Sequence, residues 1–237
     1  MKEQAYPSGF AELDRQLPGG GWPGGMLTEL IGRDAGFGQM RLLFGLLRQL
    51  TVARKVVIML APPSVPLAPA LAGFGIDTNY LITIPAPSAA TRLWAVEQIL
   101  KRPSFGALLA WLPQDRAQPL LLRRVQSAAQ SAAGPVFLFR ELVAQFEPSP
   151  APLRLLLLPR PEERVAIQLL KRRGPVLADP VLIQLPQPAL ALRLATRAGT
   201  GSPEPAAHKI AGPANVPLRK LNVHRHQRQA APAVFQA

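Results

Sequence analysis

Gly32, Gly36 and Gly38 lie within seven residues, between the apolar run Met26–Ile31 and a stretch from Gln39 to Arg54 in which Leu42, Leu43, Leu46, Leu47 and Leu50 recur at helical spacing. Strand, glycine-rich loop and long helix together form an anion cradle, because loop N–H groups and the helix N-terminus face the same point. Phosphate chemistry needs two more side chains at the end of such a loop, a lysine for the β- and γ-phosphates and a Ser/Thr hydroxyl for Mg²⁺. Here Gln39 and Met40 follow Gly38, so neither a cation nor a magnesium ligand is supplied, and one residue more separates Gly32 from Gly38 than in a standard loop. The loop reads as an architectural relic of a phosphate site. Asp34 inside it would cap the turn and would also oppose an anion.

Other chemistry is excluded by composition. The 237 residues contain no cysteine and three histidines, His208, His224 and His226, all in the last thirty residues. No thiol nucleophile, disulfide framework or convincing zinc set can be assembled from them. Glu97, Asp115 and Glu141 show no paired-carboxylate spacing suited to acid–base work. Glu29 reads as a solvated charge near a strand end. The charge balance is the stronger signal: 27 Lys and Arg against 14 Asp and Glu give a net +13, which points to a polyanionic or acidic partner. The best basic cluster in the folded part is Lys171-Arg172-Arg173, with Lys171 and Arg173 expected on one face of a strand. Trp22, on the Pro18–Gly25 turn, is a candidate interface aromatic, whereas Trp111 reads as core.

The elements that must position these residues alternate. Ser8 is a plausible cap for a helix over 10–17, and Met26–Ile31, Val56–Ala61, Tyr80–Ile84, Gly106–Leu112 and Val136–Phe139 read as strands. Between them fall helices over 39–54, 66–73, 88–102 and 119–133. That alternation predicts an α/β fold with a doubly wound, mostly parallel sheet. After Phe146 the pattern changes to strands without helices, at Leu153–Leu158, Arg164–Leu170, Val181–Leu185 and a fourth at Leu190–Leu194, expected as an antiparallel edge. From about Ala198 periodicity is lost, no acid follows Glu204, and Lys209, Arg219, Lys220, Arg225 and Arg228 remain. Residues 1–197 are therefore expected to form the core and 198–237 a disordered, flexible basic tail. The start of the chain has no apolar leader, and no apolar run approaches the ~18 residues of a membrane span.

Several segments carry a family resemblance. Pro7-Ser8-Gly9-Phe10-Ala11-Glu12-Leu13-Asp14, the turn Leu17-Pro18-Gly19-Gly20-Gly21-Trp22-Pro23-Gly24-Gly25 and the strand Thr28-Glu29-Leu30-Ile31-Gly32 resemble the opening of RecA-type recombinase cores. Val136–Arg140 resembles the strand after that family's DNA-binding loop, and Gln168–Pro175 its basic nucleotide-capping strand. Within the family the chain is most similar to the ImuA group, SulA-related accessory proteins of bacterial damage-inducible mutagenesis, through Leu-Pro-Gly-Gly-Gly-Trp-Pro, Ala61-Pro62-Pro63, Leu109-Ala110-Trp111-Leu112 and Leu169–Gly174.

The resemblance implies a RecA-like P-loop-type core and a non-catalytic adaptor in SOS-induced translesion synthesis. Its implied partners are an ImuB-type Y-family polymerase homologue, RecA and, indirectly, an error-prone C-family polymerase, with DNA a further candidate, no membrane and no cofactor. It also implies a cytoplasmic protein that gathers on the nucleoid when DNA is damaged. Gln39, Met40, the missing acid at the end of strand 106–112 and the short lead-in before the core all depart from an active, polymerising recombinase. A SulA-like cell-division inhibitor and a DNA-dependent ATPase are the competing readings. Contacts with partners or DNA are expected at Lys171, Arg172, Arg173, Trp22, Arg219, Lys220, Arg225 and Arg228.

Overall fold

A computed structural model describes residues 4–33, 37–102, 105–112, 119–175 and 179–187. All belong to one compact unit, Met1–Arg197. The chain enters through a two-residue strand β1 (Ala5–Tyr6) and a single helical turn α1 (Ala11–Asp14), and β2 (Trp22–Pro23) returns to pair with β1. Of the helix expected over 10–17, the regular part is the turn Ala11–Asp14, and the winding continues to Leu17, whose N donates to Leu13 O at 3.0 Å. Ser8 Oγ accepts from Phe10 N at 3.1 Å and Asp14 Oδ1 accepts from Ser8 N at 2.9 Å, which closes the start of the segment into a clip. Pro18 and the glycines after it then end the helical stretch.

From there strands and helices alternate: β3 (Leu27–Gly32), α2 (Phe37–Met40), α3 (Phe44–Val52), β4 (Val57–Leu60), α4 (Ala68–Ala72), β5 (Leu81–Ile84), α5 (Ala89–Leu100), β6 (Ala107–Trp111), α6 (Pro119–Ala129) and β7 (Val136–Glu141). Next come β8 (Leu153–Arg160), β9 (Arg164–Lys171) and β10 (Val181–Gln184), giving one eight-stranded sheet in the order β10-β9-β8-β3-β7-β6-β4-β5. The strands from β8 to β5 run parallel, and β9 and β10 alternate antiparallel at one edge.

Two expectations need correction here. The strand beginning at Leu153 pairs parallel with β3, because residues 142–152 supply the crossover that a parallel partner requires; the antiparallel edge begins only at β9. The helix expected over 39–54 is broken by the 3-10 turn Arg41–Leu43. Gly45, at the start of α3, lies against the clip: a Cβ there would come within 2.8 Å of Ser8 O. The expected strand Leu190–Leu194 and the tail 198–237 lie outside the described residues.

The core has two layers. On one face of the sheet Leu13, Leu42, Leu46, Leu47 and Leu50 pack on Leu30, Phe137, Phe139, Leu155 and Ile167. On the other face Val96, Leu100, Leu122 and Val125 from α5 and α6 pack on Leu27, Leu108 and Leu138. Trp111 joins the first layer, its ring stacked on Phe139 at 4.3 Å and 2°, in line with the core reading. Among the described residues no helix is long and apolar enough to cross a membrane.

Candidate functional site

The glycine-rich loop follows the carboxyl end of β3, the central strand between β7 and β8. The chain leaves β3 toward β4 on one side and leaves β7 toward β8 on the other, so the loop stands at a topological switch point, where open α/β sheets bind ligands. Gly36 and Asp34 lie outside the described residues. Gly32 is buried, and its lack of a side chain is used: a Cβ on Gly32 would collide with Gln39 Nε2. The Gln39 carboxamide thus folds back onto the end of β3, and its Oε1 is buried with no hydrogen-bond partner among the described residues. Met40 is 2 % exposed and packs in the first core layer. Gly38 is exposed. At the strand end the loop holds its own amide where a lysine would reach for phosphate, and a thioether in the core where a hydroxyl would reach for magnesium. These residues do not fit a magnesium–nucleoside triphosphate.

The cation beside the cradle is already engaged. Arg41, next to Met40, donates to Pro186 O through Nε at 3.0 Å and again through a terminal nitrogen, and pairs with Glu163. It ties the loop helix to the β8–β9 turn and to the end of β10. That turn carries two left-handed residues, Glu162 (φ 60°) and Glu163 (φ 57°), and Glu162 takes a second ion pair from Arg164 at 2.8 Å. Gln39, Arg41, Leu157, Arg160, Glu162 and Arg164 line a hollow of about 540 Å³. Its charges are largely answered within its own walls.

Glu29 corrects the sequence reading most. It is fully buried on β3, opposite Arg154 of β8 in the parallel register. Its carboxylate accepts from Arg154 Nε at 2.6 Å and Ser149 Oγ at 2.7 Å, with Arg140 Nη1 at 3.5 Å. Arg140 reaches on to Glu147 at 2.5 Å, and Arg154 donates to Ala144 O at 2.7 Å. A charged side chain can occupy this layer only because opposite charge and hydrogen bonds surround it. The signal was present in the sequence: Glu29, Arg140 and Arg154 each directly adjoin a run of apolar strand residues.

The other sequence candidates do not converge on the loop. Trp22 is fully buried, edge-on to Phe137 at 5.2 Å and 88°, so it is a core residue and offers no surface to a partner. Lys171 pairs in register with Arg154, toward the amino ends of the parallel strands and away from Gly32. It is exposed and donates to Ser149 O at 2.9 Å. Strand β9 ends there, so Arg173 lies beyond the strand and does not share its face by alternation; it is exposed beside Pro152 and Met26. Arg172 is half-buried and serves as a brace, donating to Gln16 O at 2.6 Å and Pro175 O at 2.7 Å. Arg219, Lys220, Arg225 and Arg228 lie outside the described residues.

Sequence reasoning passed over Arg54, Lys55, Lys101 and Arg102, which the fold gathers on the amino edge. Their signal is a basic pair just ahead of a buried strand, at Val56 and again at Phe105. No protein-family model matches the chain, and no curated protein matches it significantly.

Proposed function

We propose that the chain is a RecA-like accessory protein of the ImuA group, a non-catalytic adaptor of SOS-induced translesion synthesis that joins an ImuB-type polymerase homologue to RecA. One observation carries the non-catalytic part: Gln39 lies on Gly32 and Met40 lies in the core, so the loop after the central strand has neither the cation nor the hydroxyl that phosphoryl transfer requires. The doubly wound sheet, with that loop at its switch point, supports the RecA-like part. The Ser8-to-Asp14 motif supports it further, since it forms a closed clip against α3. Partner identity rests on the sequence resemblance.

The test is genetic and biochemical together. Deleting the gene should abolish damage-induced mutation while leaving unstressed growth unchanged, and the tagged protein should co-purify with the polymerase homologue from mitomycin-treated cells. The purified chain should turn over no ATP with or without single-stranded DNA. Turnover that disappears in Gln39→Ala would instead establish a DNA-dependent ATPase. Filamentation on overexpression with normal mutagenesis would establish the cell-division reading.

A further inference from the structure

We infer that the amino edge of the parallel sheet, on the side opposite the glycine-rich loop, binds the phosphate backbone of nucleic acid without reading sequence. Parallel topology brings separate segments of chain to this edge. Helix α3 ends at Val52 and delivers Arg54 and Lys55 to the start of β4; helix α5 ends at Leu100 and delivers Lys101 and Arg102 ahead of β6. The two deliveries are neighbours, because β4 pairs with β6 from Val57↔Ala107 and Gly106 N donates to Val56 O at 2.7 Å. All four side chains are exposed, and none forms an ion pair among the described residues. Farther along the same edge stand Arg173 and Lys171.

Between the two groups lies a hollow of about 370 Å³ lined by Gly24, Gly25, Gln126, Gln130 and Ala133, with Arg173 on its rim. Tyr6 joins its near wall to the first group: its hydroxyl donates to Ala133 O at 3.2 Å, and Lys55 Nζ stands 5.9 Å from its ring centre. A polyanion crossing this edge meets cations, then small neutral residues that let it approach closely, then cations again.

Size and composition favour nucleic acid over an acidic protein. From β4 to β9 the edge crosses five inter-strand steps, about 24 Å at ~4.8 Å each. Backbone phosphates advance about 3.4 Å per nucleotide on one strand, so about seven nucleotides span it. A protein partner would be expected to find an apolar or aromatic anchor, and the exposed aromatics Trp94 and Phe146 lie on α5 and on the β7–β8 crossover; among the described residues the edge itself offers Val52. Among the described residues the acids at this edge are few: Asp77, held by the amide and side chain of Asn79, and Asp179 near the start of β10.

The inference rests on charge placement and does not depend on the adaptor reading. Its test uses the full chain and two fluorescent probes of arbitrary sequence, a single-stranded 20-mer and its duplex, titrated at several KCl concentrations. Changing Arg54, Lys55, Lys101 and Arg102 together to Gln should lower the log–log salt slope by about 0.7 per lost contact on single strands and 0.9 on duplex, about three units in all on single strands and three to four on duplex. Affinity should fall at least tenfold for both probes, with melting temperature unchanged. Arg160→Gln with Arg164→Gln, at the opposite edge, should leave the slope within half a unit of wild type. An unchanged slope in the quadruple variant overturns the inference, as does a wild type that ignores both probes yet binds polyglutamate. Loss of nucleic-acid binding with normal damage-induced mutagenesis would uphold the inference and remove the adaptor reading's link to DNA.

Discussion

The two edges of this sheet carry positive charge in opposite ways. At the carboxyl edge, where an α/β sheet ordinarily binds its ligand, Arg41 is taken by Glu163 and Pro186, Arg164 by Glu162, and Arg140 by Glu147 and the buried Glu29. At the amino edge Arg54, Lys55, Lys101 and Arg102 stand exposed without a carboxylate partner among the described residues. Net charge alone cannot separate these cases, since an arginine counts once whether it braces a fold or faces solvent. The paired cations should govern stability and the unpaired ones binding.

The sharpest way to break that division is Glu29→Ala. It leaves Arg154 buried with its carboxylate partner removed and Arg140 with Glu147 alone, a loss of about 3–5 kcal/mol. For a chain of this size each kcal/mol lowers the melting temperature by about 2–4 °C, so a fall on the order of 10 °C is expected, read by calorimetry. The salt slope for nucleic acid, measured below the new transition, should not move. A variant that melts within 2 °C of wild type would mean that the network adds nothing to the fold.

Arg41→Ala is the intermediate case. The arginine side chain is 13 % exposed but its partner Glu163 is 51 % exposed, so solvent screens the ion pair and the carbonyl bonds to Pro186 dominate. A loss of about 1–2 kcal/mol is expected in urea unfolding. Because this cation is already neutralised, nucleic-acid affinity should stay within twofold. A salt slope lower by a full unit would show that the carboxyl edge also faces the polyanion.

Much of the fold was legible because burial writes itself into composition. Val56–Ala61, Gly106–Leu112 and Val136–Phe139 are continuous apolar runs, and the sheet places each as an interior parallel strand. The missing lysine and hydroxyl at Gln39 and Met40 were legible too, since the absence of a functional group needs no geometry to detect. Positions fixed by tertiary contact were not. Trp22 follows three glycines and reads as surface, yet the β1–β2 pairing turns it onto Phe137. Glu29 reads as solvated until the parallel register sets Arg154 beside it. The amino-edge cations are scattered in sequence from Arg54 to Arg102 and become one surface only when β4 and β6 pair.

The smallest effect tests the joint between the amino edge and the core. Tyr6 is 7 % exposed, and burial pushes its phenol above the ordinary value near 10. Below that value the phenol is neutral in folded and unfolded chains alike. As pH rises past it, the unfolded chain releases the proton first, so wild-type stability falls until the higher folded value is reached. Tyr6→Phe loses the 3.2 Å bond to Ala133 O, about 0.5–1 kcal/mol at pH 8, and also loses this alkaline penalty. The gap between the two proteins should therefore narrow or reverse between pH 8 and pH 10.5, followed by urea unfolding. Nucleic-acid affinity at pH 8 should stay within twofold, because the ring supports Lys55 and does not itself carry charge. A gap that is constant across this range would place the phenol in water, and with it the wall that separates the neutral hollow from the first group of cations.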